Sequence, residues 1–279
     1  MTFHTPLLIL KIGGSVITDR RQERPFLFRS RLQRLAREIA TAWRSESMGL
    51  VIIHGAGSFG HPIVRRTGIN RGISSPAQRV AMAETQRLQS WLNTMVVGYL
   101  LRSRLPAFPI QASASAVMEA GRLVSMDTQA IRGLLGAGLI PVLCGVPAFD
   151  RKQGCSILSG DQIASYLFTH LKAAQVLHGT NVQGVFTADP FQDPSARLLE
   201  LVDLRSGTGI PPGVGGSTVT DVTGGLRKKL EELATAGASG QIFDATEPGN
   251  VRRALRGEIV GTEVRCPAKA VRLKGRSDY

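Results

Sequence analysis

Short apolar runs that break straight into glycine turns constrain this chain more than any other feature. Leu7-Leu-Ile-Leu-Lys-Ile12 stops at Gly13-Gly14, and Val51-Ile-Ile53 stops, one histidine on, at Gly55-Ala-Gly-Ser-Phe-Gly60. Further glycine turns fall at 160, 179–184 and 224–225. Apolar runs this short, bounded by glycine, read as buried strands. Between them apolar residues recur at helical spacing. Residues 29–46 place Leu32, Leu35, Ala36, Ile39 and Trp43 on one face, and residues 77–102 carry Val80, Leu88, Trp91, Leu92, Met95 and Leu100 as core positions. Shorter helices are expected from a cap at Asp127 to Leu135, over 163–171, up to about Ala236, and from Asn250 to Leu255. Strands are expected at Phe108–Gln111, Ile140–Leu143, Gln175–Leu177 and Gln241–Asp244, and a hairpin over 147–158. This alternation predicts an α/β fold, a three-layer αβα sandwich around a central, mostly parallel sheet with right-handed crossovers. No internal repeat or long linker interrupts it, so residues 1–279 are expected to form a single domain.

In such a sheet the turns that follow parallel strands lie at its carboxyl edge, where ligands bind. The loop of residues 55–60 exposes backbone N–H groups unscreened by side chains, a cradle for an oxyanion, and His61 closes it with a further donor. Lys11 inside an apolar strand is costly unless it meets an anion. Asp161, in Ser159-Gly-Asp-Gln162, either caps the following helix or orients cations at a phosphate site. The glycine-rich stretches Gly213-Val-Gly-Gly-Ser217 and Thr220-Asp-Val-Thr-Gly-Gly225 precede a helix bearing Arg227, Lys228 and Lys229. Neither G-x-x-x-x-G-K-[ST] nor G-x-G-x-x-G is present around Lys11, which sets aside the P-loop and dinucleotide readings there. Two anion sites facing each other across one sheet edge suit phosphoryl transfer between two phosphate-bearing ligands.

Composition narrows the partners. The formal charge is +13, and 27 of the 34 basic residues are arginine. These are spread over helices rather than interleaved with aromatics, so no nucleic-acid partner is expected. Apolar runs are too short to span a bilayer, and no basic-then-apolar leader is visible at the N-terminus. Cys144, Cys155 and Cys266 form no C-x-x-C pair, which predicts a reducing, cytoplasmic setting without a zinc site or disulfides.

Lys11-Ile-Gly-Gly-Ser15 with Thr18, His54-Gly-Ala-Gly-Ser-Phe-Gly-His-Pro62, Ser159-Gly-Asp161 and Asp221-Val-Thr-Gly-Gly225 with Lys229 together resemble the amino acid kinase superfamily, and within it the isopentenyl phosphate kinases. The resemblance runs from about residue 7 to 264. It implies the amino acid kinase fold, with an acceptor-binding lobe over about 1–172 and a nucleotide-binding lobe over about 173–279. It also implies a homodimer and ATP-dependent phosphorylation of isopentenyl phosphate to isopentenyl diphosphate, with Mg2+ carried by the nucleotide. On this analogy the catalytic set is Lys11, Arg20, His61, Asp161 and Lys229. Gly55, Gly60, His61 and Gly160 hold the acceptor, while Lys11, Gly13, Gly14, Ser15, Ala56, Asn181, Gly225 and Lys229 bind ATP. No protein-held metal is expected.

Three departures from the family pattern bear on the nucleotide side. Arg20 stands in place of a lysine, Asn181 and Gln183 in place of two aspartates, and Gly145-Val146 lacks an acidic residue. Arginine keeps the charge with a longer planar fork, whereas the amides keep hydrogen bonding and lose charge. Two other readings fit the same residues: a fosfomycin-type kinase acting on another small phosphate or phosphonate, and a catalytically weakened nucleotide- or oxyanion-binding protein on the same fold.

Overall fold

The computed structural model describes residues 5–188, 193–206, 209–211, 214 and 225–267. Strand β1 (Leu7–Ile12) leads through a single-turn helix α1 (Gly14–Ile17) to α2 (Arg29–Ser45), then β2 (Gly49–His54). After the glycine loop come α3 (His61–Thr67), the long α4 (Pro76–Arg102) and β3 (Ala107–Pro109). A hairpin of β4 (Ala116–Glu119) and β5 (Arg122–Met126) precedes α5 (Gln129–Gly136) and β6 (Ile140–Cys144). A second hairpin, β7 (Val146–Asp150) and β8 (Gly154–Leu158), feeds α6 (Gly160–Leu171) and β9 (Gln175–Thr180). The remaining elements are β10 (Leu201–Asp203), α7 (Gly225–Ala236), β11 (Gly240–Asp244), α8 (Asn250–Leu255) and β12 (Thr262–Arg265).

Eight strands form one sheet in the order β10-β12-β11-β9-β1-β2-β6-β3, parallel except for the β11–β12 pair. Side-chain alternation along β1 builds both outer layers. Leu10 and Ile12 pack with Leu32, Leu35 and Ile39 of α2, Leu92 and Val96 of α4, and Val251 of α8. Leu7 and Ile9 face the other way, toward Ile163 and Leu167 of α6 and Leu230 and Leu233 of α7. Lys11 shares the parity of Leu7 and Ile9, so its side chain leaves the strand end on the α6/α7 side. His178 on β9 pairs with Lys11 in register. Among the described residues no helix is long and apolar enough to cross a membrane.

The expected sandwich is present, with local corrections. The hairpin over 147–158 belongs to a separate four-stranded sheet, β5-β4-β7-β8, which the strand-and-helix reading did not anticipate. On α4 the buried stripe runs Ala81, Thr85, Gln89, Leu92, Val96 and Leu100, so Val80 (70% exposed) and Trp91 (50% exposed) flank it instead of lying in the core. The helical period leaves those two roughly one residue out of phase. Thr128, not Asp127, is the N-cap of α5, although Asp127 still accepts the Gln129 N–H at 2.8 Å. Helix α6 begins at Gly160, three residues earlier than expected, because Ser159 caps it. The third strand spans Ala107–Pro109, short of Gln111. Asp189-Pro190, the stretch 215–217 and Asp221-Val-Thr-Gly224 lie outside the described residues.

Candidate active site

The carboxyl ends of β1, β2 and β9 meet at one edge of the sheet. There the loops after β1 and β2 pack backbone against backbone. A Cβ on Gly14 would come within 2.6 Å of the Gly57 nitrogen, and one on Gly55 within 2.5 Å of the Gly14 nitrogen. Thr18 joins the two loops: its Oγ1 donates to the Gly14 carbonyl at 2.7 Å and accepts the Ser58 N–H at 3.2 Å. On the other side the Gly13 N–H donates to the Gly179 carbonyl at 2.8 Å, and Ser15 Oγ donates to Asn181 Oδ1 at 2.8 Å. The glycines at 14 and 55 are therefore demanded by contact between the loops.

Asp161 sits in the first turn of α6 and does not cap it, since Ser159 Oγ accepts the Gln162 N–H at 3.1 Å. Its carboxylate instead bridges two lysines, Lys11 Nζ on Oδ1 at 2.9 Å and Lys229 Nζ on Oδ2 at 3.0 Å. All three side chains are buried. Burial alone would raise the Asp161 carboxyl, but the facing Lys11 and Lys229 charges overcome it and hold the group well below the usual carboxylate range. Burial lowers Lys11 to about 8 against the pull of Asp161, with the Lys229 charge pushing the same way as burial. His178, fully buried, places Nδ1 3.4 Å from Asp161 Oδ1, and burial drives it down to about 3, so it is neutral. The cluster thus holds two ammonium groups against one carboxylate, a net positive charge buried at the sheet edge. An anion is the partner that such a charge requires.

A cavity opens beside this cluster. Lys11, Arg20 and His61 line it together with Gly14, Gly55, Ala56, Gly160 and Asp161, while Val64, Ile157 and Leu158 supply apolar wall. Its wall therefore combines cations with hydrocarbon. Of the remaining sequence-derived candidates, Gly13, Ser15 and Asn181 meet where the loops after β1 and β9 touch, and Gly225 opens α7 four residues before Lys229. Gly60 lies directly beneath the side chain of Gln89. The small polar loop Gln111–Ser115 is not part of the cavity wall, and helix α4 contributes only Gln89 to it.

Sequence reasoning passed over His178 and Gln89. His178 had a signal: a polar residue just ahead of a glycine turn in an apolar strand, the same pattern that picked out Lys11. Gln89 had a weaker one, an amide occupying a core slot of the α4 stripe.

The sequence profile of the amino acid kinase family matches residues 6–242. The chain belongs to the amino acid kinase family. Among this family's members, it is 39% identical to the isopentenyl phosphate kinase of Methanothermobacter thermautotrophicus, over 92% of this chain and 98% of that one. It is 32% identical to the isopentenyl phosphate kinase of Methanocaldococcus jannaschii, again over 92% and 98%. A crystal structure of an isopentenyl phosphate kinase superposes with a TM-score of 0.81 at 36% identity, covering 92% of this chain and 99% of that chain. The cavity lies at the carboxyl ends of the central strands, the edge at which open α/β sheets bind ligands.

Proposed function

We propose that this protein is an ATP-dependent isopentenyl phosphate kinase. The observation that carries the reading is the pairing, across one cavity, of the His61 glycine loop with the buried Lys11–Asp161–Lys229 bridge. A histidine-closed cradle suits a phosphate acceptor, and an apolar wall beyond it suits a short hydrocarbon tail. The near full-length likeness to isopentenyl phosphate kinases supports the same acceptor.

In the reaction a nonbridging oxygen of the acceptor phosphate attacks the γ-phosphorus of ATP. The new P–O bond forms as the bond to the β-phosphate oxygen breaks, and ADP departs with that electron pair. The attacking oxygen is already anionic near neutral pH, so no general base is needed; alignment and charge neutralisation do the catalytic task. Lys11 and Lys229, spaced by Asp161, face the transferred phosphoryl group, Arg20 supplements them, and His61 steadies the acceptor. Gly13, Gly14, Ser15, Asn181 and Gly225 hold the nucleotide, with Ala56 beside the Gly55 backbone. Gly55, Gly60 and Gly160 leave room for the acceptor phosphate. Mg2+ is read as travelling on the nucleotide phosphates and water, as in the family that the chain resembles. The magnesium would neutralise phosphate charge during transfer. The acceptor lobe is read as running to about residue 172 and the nucleotide lobe from about 173 onward, strands of both contributing to the one eight-stranded sheet. A cytoplasmic homodimer completes the reading, and sedimentation equilibrium tests the dimer.

The deciding experiment is a coupled ADP-release assay on isopentenyl phosphate, dimethylallyl phosphate and fosfomycin. Turnover of isopentenyl phosphate with the highest kcat/KM is expected. Faster turnover of fosfomycin would reassign the acceptor, and ATP binding without any turnover would leave only a binding protein.

A further inference from the structure

Three polar side chains lie one above another on the buried face of α4: Thr85, Gln89 and Asn93. Two are satisfied inside the protein. Thr85 Oγ1 donates to the Ala81 carbonyl at 2.7 Å, and Asn93 Oδ1 lies 3.0 Å from His54 Nε2 while its amide reaches the Val142 carbonyl. Gln89 is different. It is 2% exposed, and its Oε1 finds no hydrogen-bond partner among the described residues. It is also the one member of the three that lines the cavity holding Lys11, Arg20 and His61. Its nitrogen end leans over the acceptor loop: a Cβ on Gly60 would meet Gln89 Nε2 at 2.2 Å.

A buried amide oxygen without a partner is destabilising, and a leucine of similar volume would avoid that cost. With its carbonyl end unbonded, the amide is also not locked to one orientation by the protein. Gln89 is thus an amide held at the cavity wall, next to the residue that precedes His61, where surrounding cations prepare an anion site. The geometry points to Gln89 as a further acceptor-binding residue, its amide N–H donating to the acceptor phosphate beside His61. This deepens the kinase reading and rests on it for the placing of the acceptor. The amide adds a neutral, directional side-chain donor beside the site's cations and backbone N–H groups. It therefore fixes the rotation of the phosphate about its ester bond, where lysine supplies attraction without direction.

The test compares wild type with Gln89→Leu and Gln89→Met, using methyl phosphate as a tail-free probe in calorimetric titration, followed by steady-state kinetics with isopentenyl phosphate and ATP. Both variants should bind methyl phosphate about tenfold more weakly, close to 1.4 kcal/mol. Acceptor KM should rise by a similar factor with ATP KM unchanged, and the melting temperature should not fall. Unchanged methyl phosphate affinity in a folded variant would overturn the proposal, as would equal losses for acceptor and ATP. If methyl phosphate binding depends on Gln89 while isopentenyl phosphate is not turned over, the phosphate contact stands and the acceptor identity falls.

Discussion

At the scale of single residues, the buried charges make pH the sharpest probe. Lys11, lowered by burial to about 8, is protonated below that pH and loses its charge above it. The free enzyme's kcat/KM should therefore be level near neutrality and fall above about pH 8. Bound ATP should push this limb upward in the kcat profile, because phosphate charge favours the ammonium form. Asp161→Asn removes the carboxylate that spaces the two lysines and leaves their charges facing each other. A kcat lower by roughly 10²–10³-fold is expected, the scale of losing one preorganised electrostatic contact; stopped assays on a variant with a preserved far-UV spectrum would measure it. His178 bears on stability instead. Its folded-state value, about 3, lies below the ordinary 6.5, so between those values the unfolded chain binds the proton that the folded chain refuses. Stability is then retained above pH 6.5 and lost as pH falls toward 3, by up to about 1.4 kcal/mol per pH unit from this group. Urea melts between pH 7 and 4.5 should show that slope, and His178→Leu should flatten it.

At the scale of elements, the site depends on pieces that hold one another at the sheet edge. The β4–β5 turn is one of them. Its Gly121 N–H donates to Asp150 Oδ2 at 2.9 Å, and Gln162 Nε2, next to Asp161 in α6, donates to the Gly121 carbonyl at 3.1 Å. Arg122 then makes a two-pronged pair with Glu232 of α7, one turn beyond Lys229. Glu232 is buried and Arg122 half-exposed. Arg122→Met leaves that carboxylate without its cation in a dry setting. A stability loss of about 1–3 kcal/mol is expected, with a raised ATP KM as α7 and its lysine lose their brace; a thermal melt and nucleotide kinetics check both parts. None of this brace was legible beforehand. Residues 116–126 show neither a long apolar run nor a helical stripe, and the sheet that they join is defined by pairing with β7, distant in sequence. The elements flanking the cavity were legible for the opposite reason. Lys11 and the 55–60 loop each break an apolar pattern, and a residue placed against its surroundings shows in one dimension; Asp161 and Lys229 sit in polar and basic runs and were legible through the family resemblance. What sequence could not decide was direction: whether Asp161 capped its helix or faced the lysines depended on Ser159 taking the cap. The exposure of Val80 and Trp91 was likewise a question of phase, set by which α4 residues meet β6 and β7.

At the scale of the whole molecule, the formal charge of +13 calls for an account that the site alone does not give. Many arginines are engaged in surface ion pairs, such as Arg87 with Glu84, Arg205 with Asp203, Arg253 with Glu258 and Arg265 with Glu263. Such pairs contribute little to stability, with a median of about 0–1 kcal/mol, and salt weakens them. That net surplus of positive charge belongs to a protein whose two proposed substrates are both anions. A positive surface of this kind raises the encounter rate with anionic ligands and does so only within a Debye length, about 10 Å at 0.1 M salt. The Lys11–Asp161–Lys229 cluster lies buried and is screened far less. The two effects separate in kinetics. Raising ionic strength from about 0.02 to 0.5 M should lower kcat/KM for both acceptor and ATP severalfold, through slower capture, while kcat stays nearly constant. A parallel fall in kcat would mean that salt reaches the buried lysines, and the surface charge would then have no separate role in substrate capture.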